Sequence, residues 1–290
     1  MKLFALPSRV ARVRSAALAA VWIAGAAGSP FERVAAHAQT PVVKNKATHV
    51  SAVYQIVLNG FDIGNFRYTS EVNGPAYALT SDVELSLLMG AFHWKGVSRT
   101  SGTATSAGPR PASFGFDYTS SLKDGSVRMG FTKGTVDTIS IEPPAAPVPD
   151  TVALKPEHLA NVLDPLTAIL SLTQDTGSKP CDRKLAIFDG KQRFDLQLVY
   201  LRQDPIEGTS ETASVCRVRY IPIAGFRATE ETANLARTTG IEISFRQVVG
   251  AKLLVPQKVL LPTLAGAAEI SVQHVDIDTP GSGQVALVND

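Results

Sequence analysis

Three stretches of this chain alternate apolar and polar residues with period two. Phe114, Phe116 and Tyr118 share one side, with Ser113, Gly115 and Asp117 on the other. Phe194, Leu196, Leu198 and Tyr200 alternate with Asp195, Gln197 and Val199, and Ile241, Ile243 and Phe245 alternate with Glu242 and Ser244. Successive side chains of a strand point to opposite faces, so this pattern marks sheet with one buried side. Val215 to Ile221 repeats it, with Cys216, Val218 and Tyr220 against Arg217 and Arg219. At 44% hydrophobic residues, the chain has enough apolar side chain for a substantial core.

Turn signals divide the rest into hairpins. Asn59-Gly60 separates Val50 to Leu58 from Ile63 to Val72, and Asn73-Gly74-Pro75 precedes Ala76 to Leu85. Further strands are expected at Phe92 to Thr103, Ala112 to Ser121, Val127 to Thr132 and Thr135 to Ile141. Asp189-Gly190 turns Leu185 to Phe188 into Gln192 to Leu201, and Pro256 to Leu261 and Ala267 to Ile277 end the series. Between the two runs, residues 142–156 hold five prolines and read as an extended crossover. Asp164 then suits a helix N-cap with Pro165 at the first position, followed by Leu166, Ile169, Leu170 and Leu172 at helical spacing. Glu230 to Arg237 fits a short helix or a loop. About a dozen antiparallel strands must curl, split or close to hide their edges. The expected fold is therefore all-β: a strongly curved antiparallel sheet or open barrel, with the central helix on its concave face.

The ends suggest export. Lys2, Arg9, Arg12 and Arg14 precede the apolar run Ala16 to Ala27, and Ala36-His37-Ala38 offers a small-x-small cleavage site before Gln39. The run falls short of the ~20 residues that span a bilayer. Residues 1–38 are expected to be a signal peptide and residues 39–49 a flexible lead-in. Residues 50–278 form one β-rich domain and 279–290 a flexible tail. Five of the 28 Lys and Arg, against one of the 26 Asp and Glu, lie in residues 1–38, which takes the remainder from +2 to near −2. That balance lacks the basic footprint of a nucleic-acid binder. Cys181 and Cys216 are the only cysteines. In an exported chain such a pair is expected to form one disulfide, closing a loop worth roughly 3–4 kcal/mol.

No motif specifies chemistry. The chain has no H-E-x-x-H, no G-x-S-x-G and no phosphate-binding glycine loop, and its histidines lack metal spacing. No cofactor or metal is expected, and no catalytic residue is assigned. Phe92-His93-Trp94-Lys95 mixes aromatics with polar tips and reads either as pocket lining or as a strand end at a sheet rim. Phe92, Trp94, Phe114, Phe116 and Tyr118 are the candidate ligand-binding residues. Arg217 and Arg219 share a face, as do Asp276 and Asp278; both pairs read first as solvated strand faces.

Three segments carry a resemblance. Tyr54-Gln55-Ile56-Val57-Leu58-Asn59-Gly60, followed by Ile63-Gly64, resembles the first hairpin of a bacterial envelope family with a secreted β-rich domain of unknown function. Asp164-Pro165-Leu166-Thr167-Ala168 resembles its helix start, and Asp189-Gly190-Lys191-Gln192-Arg193-Phe194-Asp195-Leu196 its second hairpin. Such proteins are similar in outline to half-barrel carriers of lipoproteins or lipids, an analogy of fold alone. The expectation that follows is a non-enzymatic periplasmic protein supporting envelope integrity. It would bind a lipid or other hydrophobic ligand, or an envelope protein partner, without being an integral membrane protein. The alternative is a periplasmic hydrolase of envelope glycans or lipids. An apolar lining of the concave face favours the first; a cleft of His, Asp, Glu or Ser favours the second.

Overall fold

A computed structural model describes residues 47–144, 148–174, 177, 179–280 and 283–288. The expected signal peptide and the start of the lead-in lie outside these residues. Seven strands precede the crossover: β1 (Thr48–Leu58), β2 (Phe61–Asn73), β3 (Ala76–Leu87), β4 (Phe92–Thr105), β5 (Gly108–Ser120), β6 (Asp124–Thr132) and β7 (Thr135–Glu142). Helix α1 (Pro165–Thr173) follows, then β8 (Arg183–Phe188), β9 (Arg193–Pro205), β10 (Thr212–Ala224) and helix α2 (Glu230–Arg237). The chain ends with β11 (Glu242–Val248), β12 (Leu253–Thr263), β13 (Gly266–Thr279) and β14 (Gly283–Val288).

The strands form one antiparallel sheet in the order β7-β6-β5-β4-β3-β2-β1-β13-β12-β11-β10-β9-β8, with β14 on the free part of β13. Each arm is a meander, and the β1–β13 pairing welds the first strand to the thirteenth along its length, from His49↔Asp278 to Leu58↔Ala268. Neither arm therefore owns all its neighbours without the other. The expected all-β fold is present, with two additions. Residues 230–237 are helical, capped by Thr229, whose hydroxyl accepts from the Thr232 amide. Gly283–Val288, read from the sequence as tail, pairs with β13 from Thr279 to His274. Its Val285 and Leu287 are a two-residue alternation, too short to signal a strand alone.

The sheet curls so that α1 touches both arms, meeting β3, β4 and β5 on one side and β8 and β12 on the other. Phe188 of β8 is fully buried and packs in one cluster with Val127, Phe131 and Val136 from the opposite end of the strand order. The edge strands β7 and β8 do not pair with each other. The segment before α1 fills the seam: Ala160 bridges to Thr135 of β7, while Leu163 bonds Ala186 and Phe188 of β8 at 2.8 and 2.9 Å. Both edges are thus covered without closure of the barrel.

Helix α1 is apolar on most of its surface because sheet surrounds it. Leu166, Thr167, Ala168 and Leu170 are buried. Asp164 caps it, its carboxylate accepting from the Leu166 and Thr167 amides at 3.0 and 2.9 Å. At the other end the Arg183 guanidinium donates to the Ser171 carbonyl at 2.5 Å and to that of Gln174, meeting the orphan carbonyls of the last turn. The Cys181–Cys216 disulfide is formed, with Cα atoms 5.3 Å apart. It sits in the core of the second arm beside Leu198, Ile243, Phe245 and Leu254.

Candidate functional site

Strand register decides which side chains meet inside the curl. Tyr54 lies opposite Phe66, Phe66 opposite Val83, Val83 opposite Gly96, and Gly96 opposite Tyr118. This row faces inward, and so does the next one, Tyr68, Ser81, Ser98 and Phe116. The expected ligand residues of β4 and β5 occupy this inner face. The Trp94 and Phe116 rings are 6.1 Å apart, and Phe116 stacks on Tyr118 at 5.7 Å. Both Trp94 and Phe116 lie over Gly96, where a Cβ would come within 2.4 and 2.9 Å of their rings. Phe114 is buried in the core with Tyr68, Leu79 and Met129. Phe92 starts β4 opposite Leu87, at the rim.

An apolar cavity of about 300 Å³ lies elsewhere on the same inner face, between α1 and the β1–β13 junction of the two arms. Ala52 and Tyr54 of β1, Phe66 and Tyr68 of β2, and Ile169 and Leu172 of α1 form much of its wall. Ile243, Leu254, Val255, Val259, Ile270 and Val275 complete it from the second arm. Its polar contributors are the tyrosines, Ser70 and Thr173. The Tyr68 hydroxyl reaches toward Ser70 without forming a hydrogen bond of good geometry, and burial raises the Tyr54 and Tyr68 phenols above their ordinary range. The alternation Val50, Ala52, Tyr54, Ile56 was present in the sequence. What it could not reveal is that α1 and β12 would stand off from this row rather than fill it.

A buried polar chain borders the cavity's helix. Asp164, Thr167, Thr100 and Tyr77 are all nearly inaccessible, at 0, 0, 5 and 3% exposure. Tyr77 meets Thr167 at 3.0 Å, Thr167 donates to Asp164 at 2.5 Å, and Thr100 lies 3.0 Å from the same carboxylate. Burial raises both the Asp164 carboxyl and the Tyr77 phenol. These groups pin the helix to β3 and β4.

A second, wider groove of about 1320 Å³ opens at the end of the first arm. Gln55, Asn65, Glu84, Lys95 and Thr119 line it, and the register places all five in one row. Tyr54, Leu85 and Trp94 of the opposite, inner side also line it, so the groove takes residues from both faces of the strand ends. Lys95 pairs with Glu84 at 2.8 Å, an exposed contact that lowers the Glu84 carboxyl and raises the Lys95 amine. Trp94 and His93 reach its border, whereas Phe114, Phe116 and Tyr118 do not.

The two charged pairs noted in the sequence do not form sites. Arg219 is exposed, while Arg217 faces Glu242 of β11. Asp276 bonds His274 at 2.7 Å. Among the described residues, no three His, Cys, Asp or Glu side chains converge as metal ligands, and no helix is long and apolar enough to cross a membrane.

The sequence profile of DUF3108, described as a protein of unknown function, matches residues 53–251, from the first hairpin to the end of β11. The chain belongs to this family. The DUF3108 match contains most of the first arm, α1 and the disulfide, and part of the cavity wall, including Tyr54, Phe66, Tyr68 and Ile169. A crystal structure of a beta-barrel-like protein of domain of unknown function DUF1849 from Brucella abortus is similar in fold. It is 12% identical, with a TM-score of 0.45, and the match covers 80% of this chain and 98% of that one. No curated protein matches the chain.

Proposed function

We propose that this DUF3108 member is a non-enzymatic periplasmic protein of the cell envelope that holds an acyl chain between α1 and the curled sheet. The observation that carries this reading is the cavity of about 300 Å³ walled almost entirely by aliphatic and aromatic side chains. Ligand sites begin at about that size and are mostly apolar with few polar groups. A water occupies about 30 Å³, and a methylene is comparable, so there is room for about ten methylenes. At about 0.8 kcal/mol for each one buried, occupancy supplies several kcal/mol before ordering costs. The leader-like residues 1–38 and the disulfide support the periplasmic location.

The test is native mass spectrometry of protein recovered from the periplasm, followed by titration of the delipidated protein with cis-parinaric acid. A bound lipid mass, and probe fluorescence that saturates at one site, are expected. Protein that carries no added mass and leaves the probe dark would refute acyl-chain binding.

A further inference from the structure

Exposed large apolar side chains are distributed unevenly between the two ends of the sheet. Eight consecutive strands, from β6 through β1 to β12, form four neighbouring hairpins whose turns share one end. Each of these turns presents one. Leu122 crowns the β5–β6 turn, Leu88 the β3–β4 turn, Phe61 opens β2 after the β1–β2 turn, and Leu264 crowns the β12–β13 turn. Their exposures are 83, 80, 74 and 79%. At the opposite end the turns carry Asn73-Gly74-Pro75, Ser106-Ala107 and Lys133-Gly134, and among the described residues only Val249 projects similarly. Leu88 also adopts φ 53°, a left-handed conformation that leucine disfavours and asparagine or glycine would accept more readily.

We infer that this row of hairpin tips docks the protein on a neutral, zwitterionic lipid bilayer. Three observations favour a bilayer over a protein partner. First, neighbouring hairpins stand two strand spacings apart, about 10 Å. Four exposed side chains at that interval, of which Phe61 and Leu88 share the wider groove, do not make the contiguous patch of about 800 Å² that a stable protein interface buries on each side. A fluid interface accepts them singly. Second, several polar backbone groups of the tips are satisfied internally, which eases entry into an apolar medium. The Asn59 side chain donates to the Ala265 carbonyl at 2.7 Å and accepts from the Ala267 amide at 3.0 Å, tying two tips together. Ser120 Oγ accepts from the Leu122 and Lys123 amides, Thr263 Oγ1 accepts from the Ala265 amide, and the Ser121 amide donates to His93 of the neighbouring hairpin. Third, the charges beside the tips, Asp62, Lys123 and Asp124, nearly cancel, which suits a zwitterionic surface and gives no attraction to an anionic one. None of the four tip side chains lines the cavity, so the inference holds whether or not the cavity takes an acyl chain.

The test is flotation with phosphatidylcholine vesicles. It compares the wild type with a variant carrying Phe61→Ser, Leu88→Asn, Leu122→Ser and Leu264→Ser, both with the same N-terminus fixed by mass spectrometry. All four positions are exposed, so circular dichroism and the disulfide should be unchanged. The expected result is a loss of at least tenfold in vesicle partitioning, little change in 0.5 M salt, and no effect of the opposite-end variant Val249→Ser. In a second measurement, Leu122→Trp fluorescence should shift to shorter wavelength with vesicles and be quenched by brominated lipid. Equal flotation of wild type and fourfold variant, or a tryptophan at position 122 that ignores the vesicles, overturns bilayer docking and leaves these tips to a protein partner.

Discussion

The hydroxyl of Thr100 on β4 lies 3.0 Å from the carboxylate of Asp164, which caps the helix packed inside the sheet. Thr100 also donates to the Ser113 carbonyl at 2.7 Å. Tyr77, Thr167 and Thr100 supply three hydroxyl protons for four short contacts. The single Thr100 hydroxyl proton is therefore shared between the Ser113 carbonyl and the Asp164 carboxylate. The bonds from Thr167, Thr100 and the two amides favour the ionised form, but burial outweighs them and holds the carboxyl above its ordinary range.

The first prediction concerns pH. Because burial raises Asp164 above its ordinary value of 3.8, the folded chain holds this proton more tightly than the unfolded chain. The stabilisation is fully present below the ordinary aspartate range and is lost as pH rises through the raised value, by at most about 1.4 kcal/mol per pH unit. Asp164→Asn keeps the amide-accepting oxygen and removes the titration. Urea unfolding between pH 4 and 8 should show a shallower decline for this variant than for wild type. Asp189, also raised by burial, contributes equally to both proteins, so the difference isolates Asp164. Identical slopes would contradict a raised Asp164 carboxyl. Asp164→Ala should cost about 2–4 kcal/mol at low pH, from the lost cap and the stranded buried donors, and less as pH rises.

The disulfide yields the second prediction. Cys181 and Cys216 are 35 residues apart and almost inaccessible. In the native protein neither should react with iodoacetamide, even after mild reductant. The double variant Cys181→Ser/Cys216→Ser should lose about 3–4 kcal/mol in chemical denaturation. A loss under 1 kcal/mol would mean the bond constrains little that the sheet does not already fix.

Much of this architecture was readable in local patterns, because strands with one wet face write their periodicity into the chain. Phe114, Phe116 and Tyr118 announced β5 and its inner face, and Asp164-Pro165 announced the helix start. The seam was not readable. That Leu163 pairs with β8 and Ala160 with β7 depends on how far the sheet curls, a property of the summed twist of many strands rather than of any segment. The cavity was missed for the same reason: Ala52, Tyr54 and Val255 meet only after β1 joins β13. The hairpin tips were visible as turns. Their apolar residues gained meaning only once register placed four of them at one end.

Asp195 gives a third prediction. Its side chain is 7% exposed and contacts Arg193 at 2.6 Å and Lys184 at 2.9 Å; Arg193 is 12% exposed and Lys184 60%. Removing the acid leaves a nearly buried guanidinium with the Phe194 carbonyl at 2.6 Å but no counter-charge, so Asp195→Ala should cost about 2–3 kcal/mol. Lys184→Ala removes an exposed partner and should cost no more than about 1 kcal/mol. Equal losses on urea denaturation would show that solvent, not Asp195, balances Arg193.

The last prediction separates the cavity from the core around it. Ala52 is 3% exposed, lies on the inner face of β1 and lines the cavity. A cavity of about 150 Å³ accommodates benzene, so a phenyl ring at this position takes up about half of the available space. Burying the ring contributes about 1.5–3 kcal/mol, and strain from filling an imperfectly shaped space costs about 1–3 kcal/mol. The two nearly cancel, so Ala52→Phe should fold with a denaturation midpoint close to wild type. Its affinity for cis-parinaric acid should nevertheless fall at least tenfold, because the chain's path beside Tyr54 and Leu172 is blocked. Phe116→Leu, at a side chain outside this wall, should leave probe affinity within about twofold while costing roughly 1 kcal/mol or more of stability. If Ala52→Phe folds normally and binds the probe as tightly as wild type, the acyl chain does not enter between α1 and β1.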